Sequence, residues 1–557
     1  MGLFKTLIKL FIIFNIFVVS LIAEETDKRH ILYLMHSNEI DKALNQYQKA
    51  WENEPLDLEI LQKMSLILLK NGANSSDIET QKLSMFGAGL SASNISLEIL
   101  EIGLKSSDLE TQLLSLHFIS LLNDNKTDLL LTKAMRSDFL PTRLEAAYHM
   151  AQRKHPHAIG QIESLMMKLP VFLKPFFPHL FAMLGTNGAT KFLLRFLNDS
   201  NSDVRLETVL SIANLNRDDL LQHIRKKLPN STIGEKEAIF YAFYKLKDSS
   251  TIKDIEKLST SSIENVKLSS LRALYHLGNS SKKTDIEKLA KEGNLFAISI
   301  LKEITGSENT LKTLLKSKNK LIKVNAAISL LGLKDSSGLD TLKTILITDS
   351  KDTALQPFLS IGRTMMYFKI VPLAIYRVKD IKNDPSLSIR EALLKEALEL
   401  NEDDFLSLIK AIYDTPQSDL IPTATALLEN LASEKAIAFL KDKAKFSNIP
   451  LIRDYANLAL YRLKEEGPYE SYIATWIKSQ DEDLIIQLNI NPEKKSEKTQ
   501  NIYSLTKEES TRLLLDMFIA LSSKQDETSL KIIVSAIKKT NPKNRYALAG
   551  MLIRATQ

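Results

Sequence analysis

The sequence predicts an all-α protein, an α-solenoid of stacked antiparallel helix pairs, and three observations predict it. A ten-residue segment, Ser75–Ser84, returns in near-copy as Ser106–Ser115, 31 residues later. An apolar pattern with helical spacing recurs at that interval along most of the chain. Prolines, finally, fall where that pattern would start a helix.

A chain of 557 residues exceeds one ordinary core, so it divides into several domains or forms one elongated array. Apolar residues at 44% and charged residues at 25% describe a folded chain, and Gly 17 with Pro 16 is low for a loop-rich or β-sandwich protein. The net charge of +6 is the residue of 73 basic and 67 acidic side chains, which makes nucleic acid an unlikely partner. The absence of cysteine excludes a disulfide framework, thiolate zinc, an iron–sulfur cluster and a thiol nucleophile.

Residues 1–23 read as a signal peptide. Lys5 and Lys9 precede an apolar run, Leu10 to Ile22, broken only by Asn15 and Ser20, and Ala23 stands before Glu24 and Glu25. Cleavage after Ala23 fits, as does cleavage after Ser20 with Val18 behind it. The alternative is an uncleaved anchor, since the run counted from Leu7 approaches the ~20 residues that span a bilayer. Gly2 to Thr6 also matches the loose N-myristoylation pattern, but the hydrophobic run accounts for the segment better. No later stretch is long and apolar enough to cross a membrane.

The near-copy sets a frame. Let i be the residue before a frequently basic position, with small or apolar residues expected at i+4, i+7, i+8 and i+11, one face of a helix. From Thr111 the frame lands without slippage on Thr142, Leu173, Val204, Glu235 and Val266. Val204-Arg205 leads to Thr208, Ser211, Ile212 and Leu215, and Val266-Lys267 to Ser270, Ala273, Leu274 and Leu277. Later units drift in length but keep the signature at Ile322-Lys323, Ile389-Arg390, Leu420 and Ile452-Arg453, with weaker matches at Gly293, Ala354, Thr511 and Asn544.

Val/Ile-Arg/Lys, a small residue, Ala/Ser-Leu and then Leu resembles the second helix of HEAT repeats of the short bacterial type. The likeness covers about residues 77–557 and implies an α-solenoid of paired helices, with the basic position forming a ladder to acidic or polar residues of neighbouring units. Asp138, Asp199, Asp203 and Asp384 stand close upstream to serve it. The proline test is independent: Pro141, Pro175, Pro357, Pro422, Pro450 and Pro542 all lie near i, where the first turn tolerates proline. Pro178, at i+5, departs from the rule and predicts a kink or late start around Leu173 to Leu184.

Residues 24–72 form the expected N-terminal cap. Ala43, Tyr47, Ala50 and Pro55 resemble the second helix of a tetratricopeptide unit, though the tryptophan and glycine of its first helix are missing. Residues 73–464 are the HEAT-like solenoid. The signature breaks over 465–508, where Gly467-Pro468 marks a stop and Asn491 to Gln500 reads as a polar, lysine-rich loop, an irregular repeat or an insertion. Residues 509–557 return to HEAT-like helices.

Candidate chemistry is sparse. The basic row (Arg143, Lys174, Arg205, Lys236, Lys267, Lys323, Arg390, Arg453, Arg512 and Arg545) is either a phosphate rail or the structural ladder, and the ladder has the local acids to support it. His149, His155 and His157 could ligate a metal, but no His-Glu-x-x-His pattern occurs and Pro156 places the last two in a turn. Phe172, Phe176, Phe177 and Phe181 read as core, or in part as an exposed docking spot if the prolines splay the unit. Asn-x-Ser/Thr triplets such as those at Asn94, Asn125, Asn230 and Asn279 arise by chance in an Asn- and Ser-rich chain. No nucleotide loop or nucleophile elbow appears, so no catalytic, cofactor-binding or metal-ligating residue is assigned.

The expectation is an exported, non-enzymatic scaffold, periplasmic or secreted, that binds protein or peptide partners through many modest contacts over a long surface. One sequence does not separate a solvated face from a recognition face, so no binding residue is assigned. Two alternatives stand beside it. One is an accessory subunit of an envelope or secretion assembly, held at the inner membrane by an uncleaved N-terminal segment. The other is a lyase-like enzyme-accessory protein, because some short bacterial HEAT-like repeats belong to phycobilin lyases.

Overall fold

The computed structural model describes residues 27–51, 55–347, 385–415, 419–480, 484–486 and 503–557. The expected signal peptide, Ala354, Pro357, Asp384 and the loop Asn491 to Gln500 lie outside the described residues. Every regular element among the described residues is helical, and the helices form the stacked pairs of an α-solenoid.

The near-copy in the sequence is a helix-starting device. Asp77 caps helix Ile78–Leu90 by accepting from the Thr80 amide at 3.0 Å and from the Thr80 hydroxyl at 2.6 Å, and Gln81 donates to the Ser75 carbonyl at 2.6 Å. Asp108, Thr111, Gln112 and Ser106 repeat this before helix Leu109–Leu121, at 2.8, 2.8 and 2.7 Å. Each set satisfies backbone donors that a helix start leaves open, and a cap of this kind stabilises by about 1 kcal/mol. The Ser106 hydroxyl also donates to Gln81 at 2.9 Å, which joins one copy to the next.

The chain folds as two compact units. One comprises residues 131–455. In it, second helices Leu140–Gln152, Phe177–Leu184, Ser202–Asn214, Ile233–Lys245 and Glu264–His276 each lie against the next. Their seam is the i+8 row: Met150, Phe181, Ile212, Phe243 and Leu274, spaced by 31 residues, are each 0% exposed. Complete burial of such a side chain contributes ~1.5–3 kcal/mol, so the row is a principal source of cohesion. Later in this unit the Ser329 hydroxyl reaches the Ile298 carbonyl at 2.9 Å, bonding one unit to its neighbour.

A second row closes these helices. Lys154, Gly185, Asn216, Lys247 and Gly278, again 31 residues apart, all have positive φ, from 53 to 105°. The left-handed residue turns the chain out of each second helix and lets the next amide reach back to a carbonyl of the last turn, as His155, Arg217, Asp248 and Asn279 do.

Pro178 behaves as its position predicts. A 3-10 segment, Val171–Phe176, replaces the first turn, the α-helix starts late at Phe177, and Pro178 falls in its first turn.

The other unit comprises residues 1–130 and 456–557. Near its start Tyr47 is fully buried, stacked on Trp51 at 4.8 Å, with its hydroxyl donating to the Asp57 carbonyl. Helix Asn544–Ala555, the last of the chain, lies against helices Leu58–Ala73 and Ile78–Leu90. The approach is backbone to backbone: a Cβ on Gly550 would overlap the Gly87 carbonyl, and one on Gly87 would overlap that of Tyr546. Lys543 with Glu79 and Arg545 with Asp41, each at 2.6 Å, flank this crossing. Buried Asn544 heads the last helix, donating to the Leu484 carbonyl at 2.8 Å and accepting from the Ile486 amide at 2.7 Å.

Candidate functional site

The basic row is committed to internal partners at several of its positions. In residues 131–455, Lys174 pairs with Asp199 at 2.6 Å and Arg205 grips Glu235, one unit on, through two nitrogens at 2.5 and 3.2 Å. Arg390, 2% exposed, is held by both carboxylate oxygens of Asp419 at 2.8 Å. Burial of Glu235 opposes its charge, yet Arg205 and the Thr232 cap outweigh it and hold the carboxyl below the usual glutamate range. These guanidinium groups therefore join neighbouring units, as a ladder does.

His149 contacts Glu145 at 3.1 Å, while His155 and His157 sit in the turn before helix Ala158–Lys168 with ring centres 5.3 Å apart. No three His, Asp or Glu side chains among the described residues converge as metal ligands. Phe176, Phe177 and Phe181 are core, whereas Phe172 is 73% exposed. The aromatic stretch thus divides between the two readings that the sequence left open.

A different row forms the candidate site. Position i+6 faces away from the buried seam, and at successive units it carries Tyr148, His179, Leu210, Tyr241 and Arg272, with Glu303 a further 31 residues on, every one half-buried. Burial alone pushes the His179 imidazole down to about 4. The densest part lies on helices Ile233–Lys245 and Glu264–His276 and the turn Leu301–Glu303. The Tyr241 hydroxyl donates to Asn214 at 2.7 Å, the Tyr244 ring stacks on His276 at 4.7 Å, and the Arg272 guanidinium lies 5.3 Å from the Tyr244 ring centre.

Glu303 organises this cluster. It accepts two bonds from Arg272, at 2.9 and 2.5 Å, and lies 2.9 Å from His276 Nε2. Its burial disfavours charge, but His276 and Arg272 outweigh that and hold the carboxyl below its ordinary range. Burial raises the Tyr244 phenol, so both tyrosines act as neutral ring and hydroxyl surfaces. The arrangement fixes aromatic faces and polar edges in place. The repeat signature passes over these residues because it is defined by the apolar positions and the basic one. Reading the 31-residue step through i+6 finds Tyr241, Arg272 and Glu303, whereas Tyr244 at i+9 and His276 at i+10 fall outside it.

No family model and no curated protein matches the chain. Among solved structures, a chain of the CpcE–CpcF complex of phycocyanin lyase from Nostoc sp. PCC7120 is 14% identical over 57% of this chain and 96% of its own, with a TM-score of 0.17. A homology model of the full-length AP-3 complex is 13% identical over 95% and 98%, with a TM-score of 0.29. An engineered protein is 15% identical over 89% and 99%, with a TM-score of 0.14. The solenoid assignment rests on the chain's own helices rather than on these scores.

Proposed function

We propose that the protein is a non-catalytic scaffold, exported by its N-terminal segment to the periplasm or beyond, that binds protein or peptide partners along the i+6 strip. The domain division read from the sequence, with a signal peptide, a tetratricopeptide-like cap, HEAT-like repeats and an irregular segment over 465–508, belongs to the same reading. The observation that carries it is the cluster of Tyr241, Tyr244, Arg272, His276 and Glu303, whose rings and charges are held by one another on a half-buried face. Such pre-ordered tyrosine and arginine side chains lose little freedom when a partner covers them, which is why they dominate binding energies.

The test is a photo-crosslinkable residue in place of Tyr241, used in the producing cells after fractionation. A protein partner that crosslinks in the envelope or secreted fraction, and is lost with Arg272→Ala, supports the proposal. A partner set unchanged by Arg272→Ala, or recovered only from the cytoplasm, overturns it.

A further inference from the structure

The crossing of helix Asn544–Ala555 with helices Leu58–Ala73 and Ile78–Leu90 is tight at Gly87 and Gly550 and open at its start. A Cβ on Gly72 would overlap the Tyr546 ring, and the Tyr546 carbonyl itself lies against Gly87. Yet a cleft of about 210 Å³ remains beside that ring. Poor fit does not account for it, because the same helices touch backbone to backbone within a turn of it.

The lining divides by charge. Asp77 and Glu79 come from the start of helix Ile78–Leu90, and Lys543 and Arg545 from the start of the last helix, so two acids on one element balance two bases on another. Ile40, Leu68, Leu83 and the Tyr546 ring add apolar surface. The bases and Glu79 keep bonding capacity. Glu79 meets Lys543 through Oε1 alone, at 2.6 Å, and the two stay 59 and 42% exposed. Arg545 gives Nε to the Ile537 carbonyl and Nη2 to Asp41, which leaves Nη1 without a partner among the described residues.

These features select a ligand that carries both signs and an apolar body. A simple cation would meet Lys543 and Arg545, and a simple anion would meet Asp77 and Glu79. A neutral apolar molecule would strip water from four charges and give nothing in return. The volume lies below the ~300 Å³ at which sites for drug-sized molecules begin, which suits a ligand of about ten heavy atoms. We propose that this cleft binds a free α-amino acid with an apolar side chain. Its ammonium pairs with Asp77 and Glu79, its carboxylate with Lys543 and Arg545, and its side chain lies on Leu83 and the Tyr546 ring. The site is separate from the i+6 strip, whose residues belong to the other unit.

L-leucine and L-phenylalanine, titrated calorimetrically into the full-length protein, should bind with dissociation constants below about 1 mM. N-acetyl-leucine lacks the ammonium and leucinamide lacks the carboxylate, so each should bind at least about ten-fold more weakly than leucine. Leucine should also slow amide exchange in helix Asn544–Ala555, which places the ligand at this crossing. Glu79→Gln and Lys543→Met alter an exposed pair that contributes little to folding, and each should weaken leucine about ten-fold. Failure of both amino acids to bind overturns the proposal. So does leucine held no better than its acetyl and amide derivatives, or held equally by the parent and both variants.

Discussion

Glu207 tests the packing of residues 131–455 most sharply. It sits inside helix Ser202–Asn214, 4% exposed, and its Oε2 meets no hydrogen-bond partner among the described residues. Burial, with Asp203 one turn earlier, pushes the carboxyl up from 4.5 to about 8. The folded state therefore holds this proton more tightly than the unfolded chain does. The contribution to stability is fully present below pH 4.5, falls by about 1.4 kcal/mol per pH unit as the medium rises toward the folded value, and levels off above about pH 8. Taken to its end the loss is about 5 kcal/mol, of which about 3 is already incurred at pH 7.

Glu207→Gln keeps the shape and a polar end but cannot ionise. Relative to the parent it should be nearly neutral at pH 5, more stable by about 3 kcal/mol at pH 7, and by about 5 kcal/mol at pH 9. Amide exchange of helix Ser202–Asn214 measures this locally and, with both proteins at the same pH, cancels the intrinsic pH dependence of exchange and the other carboxylates. A difference between the two proteins that stays flat from pH 5 to pH 9 would show that Glu207 ionises freely, and the burial argument would fail.

Four other substitutions probe the repeat. Lys247→Gly relieves a left-handed residue at φ 57° and should stabilise by about 1 kcal/mol, whereas Gly278→Ala at φ 105° should destabilise by a similar amount, read as urea midpoints. Asp108→Ala removes the cap of helix Leu109–Leu121 and should cost about 1 kcal/mol, with faster amide exchange confined to its first turn. Gly550→Leu places a side chain where the Gly87 carbonyl lies; it should cost more than about 3 kcal/mol and expose helix Asn544–Ala555 to proteolysis, while a variant as protected as the parent would refute the close crossing.

What the sequence disclosed and what it hid follow one physical line. Features that packing makes chemically uniform were legible. The cap module reads as Ser-Ser-Asp in both copies because few side chains accept from a helix start, and the i+8 row reads clearly because each of its fully buried side chains is large and apolar. Even the late helix start announced itself, since Pro178 has few places to go. The helix-closing row was hidden because one backbone conformation is filled by Lys154, Gly185, Asn216, Lys247 and Gly278, residue types that share no pattern. The meeting of the last helix with Leu58–Ala73 and Ile78–Leu90 was hidden for another reason. Gly72, Gly87 and Gly550 mark close approach, but no local signal says to what.

The i+6 strip combines both kinds of behaviour, and that is the argument for its role. It shares the 31-residue step and the half-buried setting of a structural row, yet its occupants run Tyr, His, Leu, Tyr, Arg and Glu. Packing between repeats would have made them alike, as it did along the seam, and solvent alone would have favoured small or charged groups over half-buried rings. The basic row cannot supply the missing explanation, because Lys174, Arg205 and Arg390 spend their charge on neighbouring units and leave the +6 excess dispersed. Mixed identities on a regular row do not alone mark a partner surface, since the helix-closing row is mixed because its backbone sets the position; on the i+6 strip it is the side chains that are ordered, by Arg272, His276 and Glu303, and the proposed binding role draws on that difference.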